Sequence, residues 1–274
     1  MLRAFLSMFH TVMAELAVYN SQLYMENIEQ DNQSKGAVVW KKILNTAISM
    51  PGVKVDRRTF LQNELIPFLA VLSAEEIQQI LSGEQSIPSN IREKIVKGCM
   101  SYHLRIACSL SAVAGLPGGW AMAASIPADV AQFYAQILIL IQKMLYLYGW
   151  PDLMEENKGI PDESLGLLTL WIGVAMGSVA AQNAITQILE GFAKQAVKRI
   201  PRIAFGHSAV YIAIKNVGKW IGIKVTKAST ARGLSKVIPL IGAPISATMT
   251  YATFRPLSKR LKKYLDSTKE LKTI

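Results

Sequence analysis

Three long stretches of this chain carry almost no charge, and they limit its folding options more than any other feature. From Ile106 to Ile141 the single charged residue is Asp129, and Ser164–Leu189 and Val237–Phe254 hold none. Such stretches are either membrane spans or the deep core of a helical domain. Their interruptions favour the second. The first is cut by Gly115-Leu-Pro-Gly-Gly119 and by Pro127. The second has a wholly apolar half, Leu165–Gly177, too short to span, and its other half puts Ser178, Gln182, Asn183, Thr186 and Glu190 on one helical face. The third opens on Pro239, Gly242 and Pro244, where a regular helix fails. A span there would also place the basic segments 194–236 and 255–272 on opposite sides of the bilayer, against the positive-inside bias. The expectation is therefore an all-α fold: a compact helical domain with very apolar central helices near 90–114, 128–148 and 164–195, and a basic C-terminal helical layer over 196–265. Gly173 and Gly177 suit close helix approach. A re-entrant Pro/Gly turn dipping into one leaflet, or two or more true spans, are the alternatives.

Local punctuation divides the rest. Phe5, Phe9, Val12, Leu16, Tyr19 and Leu23 recur at spacings of three and four, which predicts an amphipathic N-terminal helix over 1–33. His10 and Glu15 interrupt it, so it makes a poor signal peptide. The polar start at Gln30–Lys35 predicts a linker over 34–52, the helical domain over 53–265 and a polar tail over 266–274. Asp56 is placed to cap a helix running through Leu65, and Ser73-Ala-Glu-Glu76 has the form of a capping box.

Charge is distributed unevenly. Residues 1–150 hold 12 basic and 11 acidic residues, whereas 151–274 hold 18 and 8. Between Glu190 and Asp266 stand 15 Lys/Arg and no carboxylate. A field of one sign and that extent attracts polyanions. In Tyr251–Leu265, Tyr251, Phe254, Leu257, Leu261 and Leu265 form an apolar stripe with Arg255, Lys259, Arg260, Lys262 and Lys263 around it. That is the pattern of an interfacial basic helix, or of a surface helix packed on its own domain. Trp220, with Lys215, Lys219, Lys224 and Lys227, repeats it. Trp220 and all these cations except Lys224 and Lys227 are the first candidates for contact with an anionic membrane surface.

Several segments carry a family resemblance. They are Val55-Asp-Arg-Arg-Thr-Phe-Leu61, the stretch Ala114-Gly-Leu-Pro-Gly-Gly-Trp-Ala-Met-Ala-Ala-Ser-Ile-Pro-Ala-Asp129, Leu145-Tyr-Leu-Tyr-Gly-Trp-Pro151, Ile238-Pro-Leu-Ile-Gly-Ala243 and Thr253-Phe-Arg255. Together they resemble the bacterial EcsC-like protein family, over about residues 53–265. The resemblance implies a helical domain and a loose association with an ABC-transporter operon and with secretion; it implies no activity. Members of that family often carry consecutive basic residues after the Phe, where this chain has Arg255-Pro256.

Candidate chemistry centres on Asp129. On a helix from Ala128, Asp129, Gln132, Gln136 and Lys143 fall within about 60° of arc, a narrow polar stripe on an otherwise apolar helix. They are candidate ligand-binding residues, with Asp129 also a weak candidate catalytic acid or base. A carboxylate in apolar surroundings is paired or protonated; in a first helical turn it complements the macrodipole instead. Gly115–Gly119 lacks the Lys-Ser/Thr of a phosphate loop, and Gly206-His207-Ser208-Ala209-Val210 lacks the second glycine of a nucleophile elbow. His10, His103 and His207 stand far apart, and Cys99 and Cys108 read as reduced core residues. Asp152, Glu155, Glu156, Asp162 and Glu163 read as a solvated loop without calcium-loop spacing. Neither a metal nor a cofactor is expected. The function expected is a membrane-associated helical protein at the inner face of the bacterial cell membrane, binding lipid or another apolar ligand and, by the resemblance, accessory to an ABC transporter or secretion system. The alternatives are an enzyme acting on a lipid-like substrate through Asp129, and a nucleic-acid-binding protein.

Overall fold

The structure is a computed structural model that describes residues 35–114, 126–153, 162–195, 209–235 and 242–268. Among the described residues every regular element is helical, so the all-α expectation holds. The N-terminal segment 1–33, the loop Gly115–Gly119 and the residues after Thr268 lie outside them.

The first helix, α1 (35–49), corrects the linker expected over 34–52. Trp40, Ile43, Leu44 and Ala47 are buried, and their spacing of three, one and three is that of a core-facing helix. The polar run up to Lys35 obscured this. α1 crosses α8 (Ala209–Ser235) with almost no space between backbones. A Cβ on Gly222 would collide with the Gly36 carbonyl, and one on Gly36 would lie 2.8 Å from the Lys219 carbonyl oxygen. Trp40 completes the crossing: its indole Nε1 donates to Thr169 Oγ1 at 3.1 Å and its ring meets Tyr134 edge-on at 5.1 Å.

After a turn at Gly52 the chain runs to α2 (Arg57–Leu65), capped by Asp56, whose Oδ1 accepts from Thr59 N at 2.6 Å. A 3-10 turn (Ile66–Phe68) leads to α3 (Ala74–Ser82). There the capping box forms: Glu76 N donates to Ser73 Oγ and Ser73 N to Glu76 Oε2. Arg57 ties α2 to α3 by donating to the Leu81 carbonyl at 2.7 Å.

α4 (Ser89–Ala114) and α5 (Ile126–Leu147) match the expected long helices closely. α5 lies at the centre, touching α2, α4, α6, α8 and α9. Among the described residues, α5 is the one helix long and apolar enough to cross a membrane, and 78% of its apolar window is buried within the protein. Its apolar faces already contact other helices, as in the core of a helical domain.

The single helix expected over 164–195 is two. α6 (Asp162–Ala175) ends at Gly177, whose φ of +86° reverses the chain, and α7 (Val179–Gln195) follows. Glycine is needed at 177 for that left-handed turn rather than for close packing. Gly173 does serve close packing, since a Cβ there would lie 2.6 Å from Val217 of α8. Trp171 of α6 sits in the centre, edge-on to Trp150 at 5.0 Å and to Tyr264 at 5.9 Å.

The basic layer expected over 196–265 is, where described, α8 and α9 (Gly242–Thr268). α9 begins at Gly242, inside the Pro/Gly stretch where a regular helix was expected to fail, and carries Pro244 in its first turn, where a missing N–H costs little. It continues past the expected tail boundary at 266, with Leu265 and Thr268 buried.

Candidate functional site

The polar stripe of α5 is partly assembled. The side chain of Asp129 lies outside the described residues, so the acid at the head of the stripe has no structural account. Gln132 is half-buried. Gln136 and Lys143 converge with residues of α4 and α2. Gln136 Oε1 is 3.0 Å from His103 Nδ1; as amide oxygens only accept, the imidazole carries its proton on Nδ1. Lys143 Nζ lies over the rings of Phe60 at 5.2 Å and Tyr102 at 5.7 Å. Glu64 reaches the same place from α2, with its carboxyl pushed above the usual range by burial and drawn back by Lys143.

This cluster holds Cys99 and His103 one turn apart on α4, a pair that invites comparison with a nucleophilic dyad. Its electrostatics are of the opposite kind. Burial, reinforced by Glu64, pushes the Cys99 thiol up to about 12. Burial also pushes the His103 imidazole down to about 4; the hydrogen bond to Gln136 resists this and Lys143 adds to it. Near neutral pH the pair is a thiol and a neutral imidazole, whereas a reactive cysteine needs a thiolate. His103 Nε2 is buried and has no hydrogen-bond partner among the described residues.

A second polar residue of α5 escaped the sequence reading. Gln142 is wholly buried, about 110° round the helix from that stripe, and its amide is saturated. Its Nε2 donates to the Val53 and Leu138 carbonyls at 2.8 and 3.0 Å, and its Oε1 accepts from Val55 N at 3.1 Å. Tyr146 one turn on places its hydroxyl 3.2 Å from the Val55 carbonyl and 2.8 Å from Asp152 Oδ1. The two side chains clasp the extended Val53–Val55 strip against α5. The visible signal was a glutamine inside the apolar run Ile137–Leu147.

The basic candidates divide into distinct groups. The apolar stripe of α9 faces inward: Phe254, Leu257, Leu261 and Leu265 are buried, chiefly against α4 and α6, and Phe254 meets Phe133 edge-on at 6.0 Å. The interfacial reading of that stripe gives way to the packed one. Lys262 is likewise drawn inward. It pairs with Glu93 at 2.8 Å and Asp266 at 2.7 Å, and these bonds raise its pKa against the opposing effect of burial. Tyr148 donates to the same Asp266, and Arg92 lies 4.9 Å from the Tyr148 ring centre. This network joins α4, the end of α5 and α9.

The other cations face outward. Lys259, Arg260 and Lys263 are exposed, as are Lys215, Lys224 and Lys227, while Lys219 is half-buried. Arg260 passes over Gly177 at the α6–α7 turn. Three cations rest on aromatic rings: Lys215 on Tyr211 at 4.6 Å, Lys224 on Trp220 at 4.1 Å and Arg255 on Tyr251 at 5.5 Å. None of these outward cations pairs with a carboxylate among the described residues.

No protein-family model matches the chain, and neither a curated protein nor a solved structure does.

Proposed function

We propose that the protein associates peripherally with an anionic membrane surface through the outward cations of α8 and α9. One observation carries this reading: a folded domain holds Lys215, Lys224, Lys227, Arg255, Lys259, Arg260 and Lys263 at its surface with no carboxylate partner among the described residues. Surface charges left uncompensated repel one another, and an anionic partner relieves that repulsion. Near an anionic leaflet each Lys or Arg contributes about 1 kcal/mol, so four simultaneous contacts supply about 4 kcal/mol, a millimolar-range affinity on which apolar contact builds.

The burial of the α9 stripe and of most of α5 favours a domain that rests on the surface over one that inserts. With the EcsC-like resemblance, the surface is the inner face of a bacterial cell membrane, and a transporter or secretion complex is the neighbouring partner. The enzyme alternative rests on Asp129, whose side chain lies outside the described residues, and the cluster around His103 adds no thiolate nucleophile to it.

The test is flotation of the full chain with vesicles of phosphatidylcholine alone or mixed with phosphatidylglycerol, across a salt series. Association is expected only with the anionic lipid. It is lost as ionic strength rises towards 1 M, where the screening length falls from about 10 Å to about 3 Å. Association that survives high salt and carbonate overturns the peripheral reading in favour of insertion.

A further inference from the structure

We infer that α8, rather than the more obviously amphipathic α9, is the helix that seats in the headgroup layer of an anionic leaflet. This rests on the peripheral reading above and names the element responsible for it. The two helices differ in what their outward faces offer. Among its described residues α9 turns Phe254 and its leucines inward, and its outward ladder of Arg255, Lys259 and Lys263 keeps one exposed large apolar neighbour, Tyr251, with Met249 half-buried. Such a face attracts anions across water and has little to place among lipids.

α8 mixes charge and apolar surface on one side. Its buried residues are Val210, Val217, Ile221 and Val225, with Gly218 and Gly222 at the α1 crossing. At 100° per residue, Lys215, Lys219, Lys224 and Lys227 occupy the remaining arc of about 180°. Interleaved with them are Ile212, 59% exposed, and Trp220, half-buried with part of its ring on the core; Tyr211, 43% exposed, stands beside that arc, while Ile223 is taken up against Gly36 of α1. No acid occurs anywhere in α8. Lys215 and Lys224 lie on Tyr211 and Trp220, so each aromatic ring presents an apolar body with a cation beside it. A lysine stem that covers a ring while its ammonium reaches outward is the arrangement favoured where one side is apolar and the other wet and anionic. The charge complementarity selects lipid phosphates, and the aliphatic and indole surface selects a leaflet over a bare polyanion.

The experiment compares the full wild-type chain with Lys215→Gln/Lys224→Gln, with Lys259→Gln/Lys263→Gln and with Trp220→Phe, all at exposed or half-exposed sites and all checked for helical content. Phosphatidylglycerol-containing vesicles are titrated, and tryptophan quenching by acyl-brominated lipid is recorded. The α8 double variant is expected to bind about 25-fold more weakly, near fivefold per lysine, and the α9 double variant within about threefold of wild type. Quenching is expected in the wild type and lost in Trp220→Phe. If the α9 variant loses binding and the α8 variant keeps it, or if quenching is unchanged by Trp220→Phe, the assignment to α8 is wrong and the peripheral reading stands. If the wild type binds no vesicle, or shifts a DNA duplex while ignoring vesicles, both are wrong.

Discussion

Acidification from pH 7 to pH 5 should destabilise this protein through one residue, His103. The imidazole is buried between α4 and α5, hydrogen-bonded to Gln136 and faced by Lys143, and its pKa is pushed from 6.5 to about 4. A depressed histidine pKa means that the unfolded chain binds the proton first. The stabilising contribution is therefore fully present above pH 6.5 and is lost as pH falls towards 4. The whole shift corresponds to roughly 3 kcal/mol at about 1.36 kcal/mol per unit; between pH 7 and pH 5 about 2 kcal/mol of it disappears. The facing groups do not cancel this. Glu64, raised by burial, acts in the opposite sense, and it is common to the wild type and the variant compared below, so it drops out of their difference. Asp56, Glu76, Glu93 and Asp266, whose pKa values are lowered, lose their contributions only below that pH window. The assay is urea unfolding at pH 7, 6 and 5 for the wild type and for His103→Gln, which keeps a polar side chain without a titrating ring. His10 and His207 are common to both chains and drop out of the difference. The wild type should lose about 2 kcal/mol relative to the variant across the window. A difference that does not change with pH would refute the buried neutral imidazole.

Three further outcomes follow from packing and burial. Gly222→Val should cost more than about 3 kcal/mol or abolish folding, because its side chain collides with the Gly36 carbonyl and drives α1 off α8; circular dichroism melts check this, with Gly98→Ala in open surroundings as the tolerated control. Gln142→Leu should cost about 2–4 kcal/mol by leaving Val55 N and the Val53 carbonyl buried without a partner, measured by denaturant unfolding and by faster hydrogen exchange at Val55. Cys99 should resist alkylation at pH 8 until the chain is denatured, since its thiol is buried and raised to about 12, whereas Cys108, half-buried, should label first; mass spectrometry of the labelled protein distinguishes them.

Local signals in the sequence translated faithfully into structure. Asp56 and the Ser73–Glu76 pair cap the helices they announce, because a cap involves residues three apart and needs nothing from the rest of the chain. The ends of α4 and α5 were legible for a similar reason: apolar periodicity stops where Pro and Gly intervene. The break at Gly177 was not, since the residues on either side continue the same helical period and only the φ of one glycine reverses the chain. α1 was missed because its four core residues are preceded by a polar run. His103 gave no signal, as its partner Gln136 lies 33 residues away on another helix. Gln136 and Lys143, by contrast, were found from spacing, because a polar stripe on an apolar helix has to meet polar company.

The segments that resemble the EcsC-like family, where the structure describes them, make contacts inside the fold, and Val55 with Tyr146 joins two of them. Val55 is held by Gln142 and Tyr146; Tyr148 reaches Asp266 of α9; Trp150 stacks edge-on to Trp171; Phe254 packs against Phe133. Each is an assembly contact between helices distant in sequence. A motif made of such residues specifies how the bundle closes and says little about what it touches. Apart from Arg255, the outward cations lie outside those segments, and on α8 they stand beside exposed apolar surface. An amphipathic pattern cannot by itself reveal this division. α9 has the stronger pattern, and its stripe is buried because α4 and α6 supply an apolar surface of matching length. α8 has the weaker pattern because its glycines, which sequence scales count as neutral, mark the side that is buried. Where a helix packs partly through glycine, as α8 does, an apolar residue on its other side such as Ile212 stays at the surface.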